Sequence, residues 1–487
     1  QLLDLITIFI FALGIVIMGL SFSGKGRNMK SFFAAGGAVP WLMSGLSLFM
    51  GFFSAGTFVV WGSIAYSLGW IAISIQWTMA IAGFVVGFFI APRWHKTSAL
   101  TVAEYITRRL GVNTQKTYTY LFLFISLFTT GSFLYPVAKI VEVSTGMPLD
   151  LCILLLGGFC IVYVAAGGLW AVVSTDVLQF IILTAAVLIV VPLSFGRVGG
   201  VVNFIESIPA TYFNLVNGEY TIGFIVAFGV YNTIFLGGNW AYVQRYASVN
   251  SQSSARKVGF LFGGLYVVSA VLWMLPPMIY RIVNPSLSTI DAEGAYLMMC
   301  KEVLPAGLLG LMLSGMVFAT ASSLNATLNI SSGVVTNDIF KRLFPQSSDK
   351  TLMRVARIST IIFGLLAIIV ALLIPLMGGI VNVVISVAAL TGVPLYLPII
   401  WTLFSKRQTE YSVITTTLVS LGANAFFKFI TPLWGFGFNR AEEMIVGVAF
   451  PVLCLIAFEL YYKLNHKISH RYVEYQEWEK ENNCIKA

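Results

Sequence analysis

Five oxygens able to hold a hard monovalent cation fall in two distant stretches of the chain. In Ala319-Thr320-Ala321-Ser322-Ser323-Leu324-Asn325, helical hydroxyls at i+3 and i+4 lie beside the carbonyl of residue i. The Ser322 and Ser323 hydroxyls therefore flank the Ala319 carbonyl. The second stretch, Ser44–Tyr66, reads SGLSLFMGFFSAGTFVVWGSIAY. Its middle carries Gly51 and the run Ser54-Ala55-Gly56-Thr57, weak helix formers where a membrane helix gains most from Leu and Ile. A break there frees backbone carbonyls at mid-membrane, which is tolerated only where they line a cavity or hold a ligand. The carbonyls of Met50 and Phe53, three residues apart, leave the last turn on the same side. Ca²⁺ sites usually include carboxylates, so a cage of five neutral oxygens suits Na⁺. Each half also has a plainer reading: a small-residue stripe for close helix packing, and a serine pair bonded back to its own helix.

Positioning two such stretches requires a membrane fold. Of 487 residues, 58% are hydrophobic and 10% charged, more apolar surface than a soluble fold of this length can hide. Apolar runs give about thirteen spans, at 5–22, 40–68, 70–92, 115–143, 149–171, 175–195, 221–245, 257–281, 305–340, 355–377, 379–404, 410–430 and 441–464. The second, fourth and ninth exceed the roughly 20 residues of a straight crossing, which predicts tilt or breaks. The first has neither a basic run before it nor an A-x-A site after it, and reads as a retained helix. Thr101–Gly111 reads as a short amphipathic helix at the interface.

The net charge of +9 comes from cations sorted by loop, not from a basic face for nucleic acid. With the N-terminus outside and the C-terminus cytoplasmic, all but six of the 29 Lys and Arg lie on the cytoplasmic side; the six are Lys139, Arg197, Arg281, Lys301, Lys428 and Arg440. The sequence has no phosphate-binding loop, H-E-x-x-H, nucleophile elbow or paired intramembrane carboxylate, so neither ATP-driven pumping nor an enzyme is expected. Cys152, Cys160, Cys300, Cys454 and Cys484 form no C-x-x-C pair. His95, His466 and His470 sit at span ends beside basic residues and read as solvated. The expected partners are a small solute, Na⁺ and the lipid bilayer, with no nucleic acid and no obligate protein partner.

Tyr163-Val164-Ala165-Ala166-Gly167-Gly168-Leu169-Trp170-Ala171 with Thr175-Asp176-Val177-Leu178-Gln179 resembles the signature of the sodium:solute symporter family. So do Phe32-Phe33-Ala34-Ala35-Gly36-Gly37, Gln244-Arg245, and Ser322-Ser323 ahead of Asn337-Asp338. The likeness covers nearly the whole chain, with order and spacing kept. It implies the leucine-transporter fold: a single all-α polytopic domain over 1–487, with inverted five-helix repeats at 40–195 and 221–404, each opening on a broken helix. An extra helix at 5–22, two C-terminal helices within 410–464 and a cytoplasmic tail at 465–487 complete it. It also implies a Na⁺ site between spans two and nine, on Met50, Phe53, Ala319, Ser322 and Ser323.

The resemblance places substrate beside the first break, at Ser54, Thr57, Gln76, Thr129 and Asn239, with Trp61, Trp240 and Tyr242 as covering aromatics. The inner-gate tyrosine of the family's sugar carriers falls on Ala241, and the carboxylate-binding arginine of its sialic-acid branch falls on Thr129. Lys139 is either a replacement cation or a snorkelling lysine. Asp176 matches a residue of a second Na⁺ site in some members. The partner positions here are Asn325 and Ala326, so one Na⁺ per solute is expected, with Asp176 in a structural or gating role. The implied activity is Na⁺-coupled import of a small polar solute across the plasma (inner) membrane. A sugar or polyol comes ahead of sialic acid or another carboxylate, with a passive pore or transporter-like receptor as a remote alternative.

Overall fold

At Gly51 the first long apolar stretch stops being a helix. The computed structural model describes residues 3–4, 6–10, 13, 39–99, 101–166 and 172–486, and in it α1 (Trp41–Met50) and α2 (Thr57–Leu68) are two arms of one interrupted span. Winding is lost over 51–54, as the glycine and serine content predicts. The amides of Gly51, Phe52 and Phe53 fold back onto the carbonyls of Leu48 and Phe49.

The helices that follow are α3 (Ile71–Lys96), the short amphipathic α4 (Val102–Leu110), α5 (Val112–Thr145), α6 (Leu149–Ala166) and α7 (Val172–Arg197). Then come α8 (Ile222–Gly238) and α9 (Trp240–Ala247), a second broken span bent by 60°. Next are α10 (Gln252–Val283), α11 (Ala295–Val303), α12 (Leu308–Val334), α13 (Asp349–Leu373) and α14 (Ile380–Thr402). The chain closes with α15 (Glu410–Trp434), α16 (Arg440–Leu464) and α17 (His470–Lys486).

Among the described residues, eight helices are long and apolar enough to cross a membrane, and the bent α8–α9 pair makes nine. The shorter apolar segments Trp41–Met50, Thr57–Leu68, Leu149–Gly158 and Leu308–Thr320 fall on the remaining expected spans from the second to the thirteenth. Most of 5–22 lies outside the described residues, as do the Phe32–Gly37 motif and Gly167–Ala171 of the signature. Rows of bare apolar side chains, such as Phe88, Phe89, Leu154, Leu155, Ile362 and Leu365, face lipid, where exposure has no hydrophobic cost.

One close crossing is between α3 and α10. A Cβ on Gly259 would stand 2.5 Å from the Cα of Gly87, and one on Gly83 would stand 2.8 Å from the Cα of Gly263. Two small-xxx-small faces therefore meet backbone to backbone. Beyond the spans, α17 docks on α4: Arg108 lies over the Trp478 ring at 5.1 Å, and Tyr105 meets Tyr475 edge-on at 5.5 Å. Arg109 is fully buried there and donates to the carbonyls of Ser405 and Gln408 at 3.0 and 3.3 Å. His95, expected to be solvated, instead sets Nε2 2.9 Å from the Val249 carbonyl, because the chain after α9 folds back over the end of α3.

Candidate functional site

The break between α1 and α2 is where unspent backbone oxygen collects. The bonds across it are accepted by the carbonyls of Leu48, Phe49 and Ser54, with the Thr57 hydroxyl donating to the Phe52 carbonyl. The carbonyls of Met50 and Phe53 stand outside this set, in residues only 4% and 1% exposed.

One hydrogen bond fastens the break to α12. The Ala55 amide, among the first of the resumed helix, donates to Thr320 Oγ1 at 3.0 Å across 265 residues of sequence. That hydroxyl in turn donates to the Met316 carbonyl at 2.9 Å. Thr320 thus supplies a cap that α2 cannot draw from its own chain. Its neighbour Ala319 is buried, and Ser323 Oγ lies 3.4 Å from the Ala319 carbonyl. The structure therefore brings the stretch carrying Met50 and Phe53 against the stretch carrying Ala319 and Ser323. The side chains of Ser322, Asn325 and Asp176 lie outside the described residues. Thr320 was passed over in the sequence, although it stands inside the same ATASS run and is the residue that joins the two halves.

The other positions separate into those left open and those already engaged. Ser54, Thr57 and Gln76 are buried, and of these Thr57 is already engaged with the Phe52 carbonyl. Among the described residues the Gln76 amide has no hydrogen-bond partner. Asn239 is engaged twice: Oδ1 accepts the Ala241 amide of α9 at 3.0 Å, and Nδ2 donates to Tyr396 Oη of α14 at 3.4 Å. Thr129 bonds back to Ile125 and Ser126 of α5 at 3.5 and 3.3 Å.

Of the expected covering aromatics, Tyr242 meets the break directly, with its ring 5.1 Å from that of Phe52. Trp240 is stacked on Phe122 of α5 at 5.3 Å and 7°, and Trp61 packs edge-on against Phe228 at 5.7 Å. Those two tie their helices to neighbours. Phe52 itself, Phe262 and Tyr266, in contact at 5.2 and 6.1 Å, complete a dry aromatic wall that strengthens any electrostatic contact inside it. Lys139 does not snorkel. It is 3% exposed and pairs with Glu142 at 2.7 Å.

The model of the sodium:solute symporter family matches residues 32–419. The chain belongs to this family. It is 29% identical over 472 residues to the sodium/glucose cotransporter of Vibrio parahaemolyticus, covering 88% of this chain and 86% of that one. It is 25% identical over 458 residues to sodium/glucose cotransporter 1 of Mus musculus, covering 84% and 68%. Against sodium/myo-inositol cotransporter 2 of Oryctolagus cuniculus it is 26% identical over 407 residues, covering 75% and 60%. In fold it resembles a substrate-bound, outward-open Na⁺-coupled sialic acid symporter, with a TM-score of 0.75 at 21% identity over 94% of this chain and 98% of that one. This symporter is therefore an all-α, multi-pass membrane transporter with leucine-transporter architecture, not an enzyme, and its coupling ion is Na⁺.

Proposed function

We propose that this symporter couples one Na⁺ to the import of one small, uncharged, polyhydroxy solute, a sugar or polyol. The neutral, buried hydrogen-bonding set beside the break carries this reading: Ser54, Thr57 and Gln76, with the Gln76 amide unpartnered among the described residues. A site built to bond hydroxyls rejects analogues lacking them, because its own buried groups are then left unpaired. The relatives named for glucose and myo-inositol agree with it. In this reading Na⁺ rests on the carbonyls of Met50, Phe53 and Ala319 and the hydroxyls of Ser322 and Ser323. Tyr242 covers the solute, Asn239 shapes the second break, and Thr129, Trp61 and Trp240 frame the site. Asp176 and Asn325 serve structure or the inner gate.

The repeats run over 40–195 and 221–404, with 5–22 and 410–464 as flanking helices. The protein sits in the plasma (inner) membrane, N-terminus outside and the 465–487 tail in the cytoplasm. A carboxylate solute such as sialic acid is the second reading, supported by the solved neighbour named for it. Against it, the nearest spare cation on α5, Lys139, is held by Glu142.

Uptake in proteoliposomes under an inward Na⁺ gradient tests the choice. Sugars or polyols should accumulate and compete with one another. Competition by carboxylates alone refutes the reading, and equilibration without accumulation makes the protein a pore.

A further inference from the structure

The segment joining α10 to α12, residues 284–307, holds a buried carboxylate. Glu293 is 2% exposed. Tyr135 Oη of α5 donates to its Oε2 at 2.6 Å, and the Ile380 amide at the start of α14 donates to its Oε1 at 2.8 Å. Gly379 is the one residue type that fits beside it, since a Cβ there would lie 2.6 Å from Oε1. One side chain of the loop thus clamps α5 and α14 together.

The charges around it do not balance. Lys139 is the cation that faces Glu293, and its ammonium lies 2.7 Å from Glu142 of the same helix. Two carboxylates therefore share one ammonium. A small cavity adjoins the cluster, lined by Glu293, Lys139, Tyr296, Phe58, Val59 and Met316. The Tyr296 hydroxyl is buried on that cavity with no hydrogen-bond partner among the described residues. An isolated negative charge in such surroundings is costly, and the site lowers the cost by taking up a positive one.

We propose that Glu293 is a buried proton-binding site, and that its occupancy docks the 284–307 loop onto α5, α14 and the second arm of the broken helix. In the protonated state the carboxyl O–H donates to Tyr135 Oη, which rotates from donor to acceptor, while Oε1 keeps the Ile380 amide. The docked loop then holds α2, because Tyr296 packs on Phe58 at 4.3 Å and Tyr66 Oη donates to the Asn284 carbonyl at 2.6 Å. Burial pushes the Glu293 carboxyl above its ordinary range. The bonds from Tyr135 and Ile380 and the charge of Lys139 act against that rise, and Glu142 adds to it. A group raised in the docked state favours docking fully below its undocked range and loses that contribution as pH rises through the docked value. Docking is therefore favoured by acid.

The test uses the full-length protein in lipid nanodiscs. Hydrogen–deuterium exchange of the 284–307 amides, corrected for intrinsic rates, should show protection falling about tenfold or more between about pH 5 and about pH 8. Infrared difference spectra over the same range should lose a protonated-carboxyl band. In Glu293→Gln, which mimics the protonated form, protection should be flat with pH and the band absent. Should that variant fail to fold, Tyr135→Phe removes a donor to the carboxylate and should move the transition to higher pH. Wild-type protection independent of pH overturns the proposal. So do a band that survives in Glu293→Gln, an unmoved transition in Tyr135→Phe, and a transition that follows Na⁺ in place of pH.

Discussion

Between Met50 and Thr57 the chain gives up helical winding over 51–54, whereas between Gly238 and Trp240 it turns by 60° about Asn239 alone. The second break closes its own accounts: Asn239 Oδ1 caps the Ala241 amide at 3.0 Å, as an N-cap asparagine does. The first does not. Its orphan amide at Ala55 is satisfied from another helix, by Thr320 at 3.0 Å, and the carbonyls of Met50 and Phe53 stay outside its bonding. A break whose own N-cap satisfies its amides leaves no backbone donor for a partner helix to fill. One that depends on a partner helix for its donors and keeps acceptors in hand is suited to an ion, which at the proposed site would add a second tie between the two helices.

That contrast breaks most visibly if the first break loses its oxygens. Ser322→Ala and Ser323→Ala should each abolish Na⁺-driven accumulation while leaving insertion intact. Unchanged Na⁺ dependence in both variants would remove the ion from this break. One charge crossing ~100 mV releases about 2.3 kcal/mol, and a tenfold Na⁺ gradient adds about 1.4 kcal/mol. Coupling to one ion therefore limits a neutral solute to about 500-fold accumulation. The reversal potential of solute-driven current gives the stoichiometry, and a two-ion slope would assign Asp176 and Asn325 to a second site.

Smaller effects sharpen the comparison. Thr320→Val keeps shape but strands the Ala55 amide, a loss of about 1–3 kcal/mol, read as a lower melting temperature whose deficit Na⁺ only partly restores. Equal deficits with and without Na⁺ would mean that the tie is unrelated to the ion. Asn239→Ala should cost only about 1 kcal/mol of stability, with Na⁺ affinity unchanged. A shift in Na⁺ affinity there would erase the distinction between the two breaks.

The first break was legible because Gly51 and the Ser54–Thr57 run are poor helix formers at a depth where that matters; the ion role of the serine pair, drawn from local i+3 and i+4 spacing, is a proposal. What escaped is what only the closed fold brings together. Thr320 looked like one more small residue, since its partner lies 265 positions away. Glu293 falls between the expected spans 257–281 and 305–340, where nothing local marks it for burial. Its burial comes from Tyr135, 158 positions earlier, and Ile380, 87 positions later. Lys139 near a span end reads as snorkelling until Glu142, one turn on, is seen to hold it.

The glycine crossing of α3 and α10 has a mechanical consequence. Gly83 and Gly87 meet Gly259 and Gly263 with backbone on backbone, flanked by the rings of Phe84, Phe260 and Phe262. Where backbone meets backbone between flanking rings, there is little room for the sliding by which packed helices shear past one another. In the repeat arrangement proposed above, these are the second helices of the two halves, so the contact holds the repeats together at a point that a rocking motion between them would part. Spin labels on α3 and α10 should then keep one separation in Na⁺-free, Na⁺-bound and solute-bound protein, and alternating access would have to arise from other helices swinging around this fixed spine.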